Sequence, residues 1–239
     1  HLDEVDRHVD RGVAVAADLP GVGQNLQEHP GISLSGYIAP EARLGNTTRR
    51  HIHLGMRYSS GCDGCPPSDM FMMVVAKSAW HPLGRRIGTV ISWINKAYAR
   101  GEARLVSADP LAPPTASFNY LADARDLKRL AASVHLAART FATNALKGLV
   151  EPSGPSNDGG FAKKLERQTV QNFLITAPIA LAIDALPAAR RMFFRRAVAG
   201  GMTLERLLTD EDALEAYVRA RNRPMARLRN VPHGSERRP

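Results

Sequence analysis

Thr89-Val90-Ile91-Ser92-Trp93-Ile94-Asn95-Lys96 decides the fold class. Val90, Ser92, Ile94 and Lys96 alternate with Thr89, Ile91, Trp93 and Asn95, a period of two that sends successive side chains to opposite faces of a strand. The same alternation runs through Ile32, Leu34, Gly36 and Ile38, and again through Ile52, Leu54 and Met56. Asp69 to Lys77, rich in Met and Val, is a further strand, and Ala103 to Val106 follows a turn at Gly101. Val13, Val15 and Ala17 suit a short strand before the turn at Pro20, Gly21 and Gly23. Gly61 to Ser68 and the proline-rich Asp109 to Pro114 are loops. Strands so closely spaced, with no helical pattern between them, predict a mostly antiparallel sheet.

Beyond residue 120 the period changes. Leu127, Leu130, Ala131, Val134, Ala138 and Phe141 recur at helical spacing, with Asp123 at the cap and Asp126 in the first turn. Ser153 to Gly160 reads as a polar linker. Helical pieces follow at about 161–174, 188–198 and 204–208, and Thr209 with Glu211 and Asp212 opens a last helix over 211–219. Strands first and helices after predict an α+β fold, an antiparallel sheet backed by helices on one face.

The 239 residues suffice for one or two domains with their own core. Two cysteines make no disulfide framework. No signal peptide is visible, which points to the cytoplasm, with attachment to a membrane surface as the alternative. The most apolar stretch, Phe173 to Leu186, is interrupted by Pro178 and Asp184 and falls short of the roughly 20 apolar residues a bilayer needs, so it reads as a buried helix. The net charge of +9 suggests nucleic acid, but its distribution argues against it. Arg221, Arg223, Arg227, Arg229, Arg237 and Arg238 face Glu236 alone in the tail, a net of +5, so the remainder carries +4. No aromatic residues interleave the basic ones as a stacking platform requires.

Asp18-Leu19-Pro20-Gly21-Val22-Gly23-Gln24-Asn25-Leu26-Gln27-Glu28-His29-Pro30 is the most specific string in the chain. It closely resembles the DLPGVGxNLQDHP segment of the glucose-methanol-choline (GMC) flavoprotein oxidoreductases, with Glu28 in place of the usual Asp. Arg100-Gly101-Glu102-Ala103-Arg104-Leu105-Val106-Ser107-Ala108-Asp109-Pro110 resembles the family's RGxVRLxSADP hairpin, and Phe118-Asn119-Tyr120-Leu121-Ala122-Asp123-Ala124-Arg125-Asp126-Leu127 its FNYLxDxxDL step into a helix. The resemblance runs from near His1 to about Arg219. It implies a border segment of the FAD-binding domain over 1–30 and a substrate-binding domain over 31–219, so that the chain begins within an enzyme.

The resemblance further implies oxidation of a small-molecule alcohol. A histidine base takes the hydroxyl proton while the carbinol hydride goes to FAD. It sets Asn25, Leu26 and His29 close to the flavin. Asn25 as a turn cap, and His29-Pro30 as a setter of chain direction, is the alternative. Tyr37, Met70, Met72 and Trp93 are candidates to line the substrate cavity, with plain burial as the alternative for each. The dinucleotide fingerprint G-x-G-x-x-G is absent, since Leu26 stands where the third glycine after Gly21-Val22-Gly23 belongs. No residue of this chain is assigned as catalytic, and none as a metal ligand.

The family's base lies in H-A-S-G-T-C-R-M-G, shortly after a helix like 211–219. Here the chain reads Met225-Ala226-Arg227-Leu228-Arg229-Asn230-Val231-Pro232-His233-Gly234-Ser235. Codons for these residues, read one base later, permit Trp-His-Ala-Ser-Gly-Thr-Cys-Arg-Met-Gly without a gap. The first is forced, because Met225 and the G of Ala226 give TGG. One inserted base (or two deleted) near the codons for 219–221 therefore explains the abrupt end of the resemblance and the arginine-rich tail, and 220–239 reads as out of frame. The competing reading is a non-catalytic binding module whose basic tail recruits an acidic partner.

Cys62-Asp63-Gly64-Cys65 lacks the second ligand pair that a structural zinc site needs, and His51 and His53 have no clear link to it. His81 reads as a loop histidine without a visible acid or nucleophile, and His135 as the flank of the long helix.

Overall fold

In the computed structural model, which describes residues 16–17, 19–45, 48, 50–156, 164–165 and 167–222, five strands join in one antiparallel sheet. They are β1 (Gly31–Ile38), β2 (Ile52–Tyr58), β3 (Met70–Val75), β4 (Ile87–Ile94) and β7 (Val150–Pro155), in the order β2-β3-β4-β1-β7. Between β4 and β7 in sequence, β5 (Glu102–Arg104) and β6 (Thr115–Ser117) form a separate antiparallel pair. The expected α+β architecture is present; β1, β2 and β4 lie where alternation predicts them, and β3 lies within the Met- and Val-rich stretch 69–77. The strand expected around Val13 and Val15 falls mostly outside the described residues, and Ala17 lies in a bend.

Register fixes the two faces. Leu34 pairs with Val90, Ile32 with Ser92, Met70 with Ile94 and Met72 with Ser92. These residues point to one side and pack against α1 (Ala124–Phe141), whose Leu127, Leu130, Val134, Ala137 and Phe141 are buried there. Leu207 of α4 (Leu204–Thr209) and Leu214, Tyr217 and Val218 of α5 (Glu211–Arg221) complete the layer. Each helix starts at a side-chain cap. Asp123 accepts from the Arg125 amide, Thr203 from Arg206 and Asp210 from Ala213.

Two expectations need correction. Residues 150–155, read in part as a linker, form the edge strand β7. Pro152 and Pro155 suit an edge, where a missing N–H costs no ladder bond. The helix expected over 161–174 is not one element: 164–165 are helical, 161–163 and 166 lie outside the described residues, and after Thr169, whose hydroxyl caps the Asn172 amide at 3.2 Å, a separate helix runs as α2 (Val170–Ala185). Its apolar stretch is not wholly buried. Ala180 and Ile183 pack against Leu83 and Tyr37, while Phe173, Leu174 and Leu181 are exposed. Among the described residues no helix is long and apolar enough to cross a membrane.

A buried ion cluster ties the layers together. Arg129 of α1 donates through Nη1 to Asp69 at 2.9 Å and through Nη2 to Asp126, and all three side chains are fully buried. Asp126 also accepts from the Tyr98 and Ala99 amides at 3.1 and 2.9 Å, and Asp69 from the Ser60 amide and hydroxyl at 2.8 and 2.7 Å. Burial alone would raise the Asp69 pKa, but the bonds from Ser60 and Arg129 outweigh it and hold the carboxyl below its usual range. Removing the guanidinium leaves two carboxylates buried without a counter-charge. Arg129→Met should therefore cost about 3–5 kcal/mol in urea unfolding. A change within about 0.5 kcal/mol of the parent would show that the cluster is not a stabilising tie.

Candidate active-site face

The sheet face away from α1 carries Ser33, Ser35 and Tyr37 of β1, Thr89, Ile91 and Trp93 of β4, and Phe71, Met73 and Val75 of β3, as the register requires. Part of this face is roofed by α3 (Pro187–Phe193) and the single π-turn Phe194–Val198 that continues it. A cavity of about 320 Å³ lies between them. Its walls mix apolar groups, among them Leu83, Ile91 and Phe193, with hydroxyls from Ser33, Ser35, Ser78, Thr89 and Ser156.

Four of those hydroxyls are linked. Ser35 Oγ contacts Ser156 Oγ and lies 2.9 Å from Thr89 Oγ1, which lies 3.1 Å from Ser78 Oγ. Ser78 Oγ then donates to the Ile87 carbonyl at 2.7 Å. His81 forms part of the same wall and is 5 % exposed. Its Nδ1 accepts from the Gly84 amide at 3.1 Å, so the proton of the neutral ring sits on Nε2. Burial pushes its pKa below the ordinary histidine value. The sequence showed His81 only as a loop histidine. The signal that places it here is the fold of the Ser78–Arg86 connection, where the Ser78 amide meets the Gly84 and Ile87 carbonyls.

The candidates from sequence are spread over three places. Trp93 lies on the open face, stacked on Phe71 with centroids 4.6 Å apart, and its indole donates to Asn95. Tyr37 is on the same face but is engaged at its end. Its hydroxyl donates to Asp184 at 2.9 Å and accepts from Arg43. Asp184 also binds Arg86, and burial, which would raise its pKa, is outweighed by Arg43, Arg86 and Tyr37, so its carboxyl sits below the usual range. This cluster pins α2 to the end of β1. Met70 and Met72 point to the opposite side, into the helix-packed core at 0 % and 3 % exposure, and line no part of the cavity. The alternation that opens Phe71 and Met73 to the cavity face necessarily buries them.

Asn25, Leu26 and His29 lie in a border segment laid along the β5–β6 hairpin. Leu26 and Gly101 exchange both amide bonds at 2.9 and 2.8 Å, and the Ala103 amide donates to the Gly23 carbonyl at 2.7 Å. A Cβ on Gly101 would meet the Ser117 carbonyl oxygen at 1.9 Å, so only glycine allows this approach. Asn25 sits at φ 56° with its side chain exposed. His29 Nδ1 bonds the Ile94 carbonyl at 2.7 Å and borders a recess of about 410 Å³ with Gln27, Lys96, Tyr98 and Arg100. The phosphates of FAD have no glycine cradle at a helix N-terminus among the described residues. Both cysteines are free thiols, and the described residues contain no group of three or more His, Cys, Asp or Glu able to hold a metal.

A sequence model described as GMC oxidoreductase matches residues 97–226. The chain is 34 % identical over 212 residues to the 5-(hydroxymethyl)furfural oxidase of Methylovorus sp. (strain MP688), covering 87 % of this chain and 32 % of that protein. It is 29 % identical to the chloroplastic fatty acid photodecarboxylase of Chlamydomonas reinhardtii over 75 % of this chain and 37 % of that one. It is 25 % identical to the oxygen-dependent choline dehydrogenase of Rhizobium johnstonii (strain DSM 114642 / LMG 32736 / 3841) over 63 % of this chain and 32 % of that one. The chain thus spans about a third of the length of the curated relatives it matches. Among solved structures, pyridoxine 4-oxidase from Mesorbium loti superposes with a TM-score of 0.51 at 16 % identity, over 72 % of this chain and 34 % of that one. A formate oxidase reaches 0.54 at 18 %, over 62 % and 35 %. At those identities the likeness shows the fold. The binding-module reading finds no support in relatives that all bear the names of enzymes.

The buried neutral His81 makes stability depend on pH. Its folded pKa is depressed, so the unfolded chain binds the extra proton. His81 therefore contributes no penalty above the unfolded value of about 6.5, and stability declines as the pH falls below it. Urea unfolding between pH 5 and 8 should show this acid limb flattened in His81→Asn. An identical slope in the variant would remove His81 as its cause.

Proposed function

The chain belongs to the GMC oxidoreductase family, and from that premise we propose that it supplies the substrate-binding portion of a flavin-dependent enzyme that oxidises a CH–OH group. The observation that carries this reading is the cavity on the sheet face opposite α1, walled by apolar groups and hydroxyls and sized for a small molecule. The substrate is a small-molecule alcohol, not a nucleic acid. FAD, when bound, accepts the carbinol hydride. The sheet face positions the alcohol, the α3 roof excludes water from it, and Asn25, Leu26 and His29 border the flavin. The domain limits follow as 1–30 for the flavin-domain border and 31–219 for the substrate-binding domain. The two free thiols suit a reducing compartment, and the cytoplasm is the proposed location.

The proton-accepting histidine is the part this sequence does not spell in frame. Residues 223–239 lie outside the described residues, and codons compatible with 225–235, read one base later, permit Trp-His-Ala-Ser-Gly-Thr-Cys-Arg-Met-Gly. We assign 220–239 to an out-of-frame tail and the base to the histidine of the shifted frame.

Two measurements check the proposal. Resequencing the source DNA across the codons for 218–239 should show one base fewer. If the present frame stands, the assignment of the base fails. The 239-residue chain, purified alone, should be colourless and reduce no dye with alcohols. Stoichiometric bound flavin would overturn the division of labour proposed here.

A further inference from the structure

The linked hydroxyls have a defined direction. A carbonyl oxygen only accepts, so Ser78 must spend its single proton on the Ile87 carbonyl. Its contact with Thr89 is then one in which Thr89 donates. Thr89 has no second proton, so Ser35 donates to Thr89, and Ser156 in turn donates to Ser35. The chain therefore runs Ser156 → Ser35 → Thr89 → Ser78 → Ile87 carbonyl. All four protons are committed along it, while each oxygen keeps at least one lone pair. The array presents acceptors to the cavity. In the same wall, His81 contributes the opposite polarity, because Nδ1 is occupied by the Gly84 amide and Nε2 carries the proton. Leu83, Ile91 and Phe193 supply an apolar surface between these groups, and among the described residues none that lines the cavity carries a carboxylate, lysine or arginine.

We propose that the Ser156–Ser35–Thr89–Ser78 chain is a specificity subsite that receives a hydroxyl donor of an uncharged alcohol with an apolar body, with His81 Nε2 available to an oxygen acceptor on the same ligand. This deepens the proposed function and rests on its assignment of the cavity to the substrate. The subsite prefers a ligand that donates to one that only accepts, and it gives a quaternary ammonium no counter-charge. Selectivity resides in the direction of the protons as well as in shape. A hydroxyl approaching the chain completes it. An ether or aldehyde oxygen approaching the same lone pairs is repelled.

The test uses binding, which does not depend on turnover. The 239-residue chain is titrated by calorimetry with 1,4-benzenedimethanol, with its bis-methyl ether, and with choline. The diol should bind more tightly than the diether by about threefold to tenfold, the worth of one or two neutral hydrogen bonds, and choline should bind most weakly. Thr89→Val keeps the volume and the β-branch while removing the central hydroxyl, and it should erase the preference for the diol. Ser156→Ala, at the half-buried end of the chain, should reduce it, and a thermal melt of each variant confirms that it is folded. Equal affinity for diol and diether, tighter binding of choline, or no binding of any of the three at millimolar concentration would overturn the subsite. A diol preference in a full-length enzyme that oxidises no alcohol would leave the subsite standing and sink the proposed function instead.

Discussion

One buried guanidinium holds the layers of this protein in place. Arg129 leaves α1 from its sheet-facing side and meets Asp69 at the start of β3 and Asp126 one turn back on its own helix. Its two nitrogens also reach the Lys96 carbonyl at 3.2 Å, just beyond β4. The helix, the start of β3 and the chain leaving β4 are thus fixed to one planar group. Charge burial is expensive, and here each carboxylate oxygen and each guanidinium nitrogen has a partner, with amides from Ser60, Tyr98 and Ala99 sharing the two carboxylates. Arg125 adds to the same corner by lying 3.4 Å over the Tyr98 ring. With α1 so fixed, one face of the sheet is committed to the helix-packed core, and the cavity lies on the other.

The division between those faces follows from the strand period alone. Along β3, Met70 and Met72 enter the core while Phe71 and Met73 look to the other side, and along β1 Leu34 is core while its neighbour Ser35 joins the hydroxyl chain. A second ionic cluster, Asp184 with Arg43, Arg86 and Tyr37, holds α2 against the end of β1 and so helps fix the wall near Leu83. The two clusters sit on opposite sides of the sheet, and the cavity side depends on the second as the core depends on the first.

Much of this was legible in the residues. Three strands announced themselves by alternation, β3 by its Met and Val content, α1 by its spacing and by Asp123, and the border segment by its glycines. The failures have physical causes. Residues 150–155 carry two prolines and Gly154, a composition that reads as loop unless the strand is known to be an edge. The apolar run of α2 looked buried, yet it offers only a narrow strip to the sheet and leaves Phe173 and Leu181 outside. Sequence could nominate Met70 and Met72 as cavity residues because hydrophobicity does not say which face is which. The hydroxyl chain was invisible for another reason. Ser35, Ser78, Thr89 and Ser156 are ordinary residues far apart in the chain, and only strand pairing makes them neighbours. His81 likewise acquires meaning only from the Gly84 amide beside it.

The split of labour across a single sheet has a consequence for how such a protein diversifies. The groups packed against α1, α4 and α5 point one way along each strand, and those that line the proposed substrate cavity point the other. Substitutions at 33, 35, 89 or 91 therefore explore new binding chemistry without entering the helix-packed core. Heritable change in what is recognised can accumulate on one surface while the architecture beneath it stays constant.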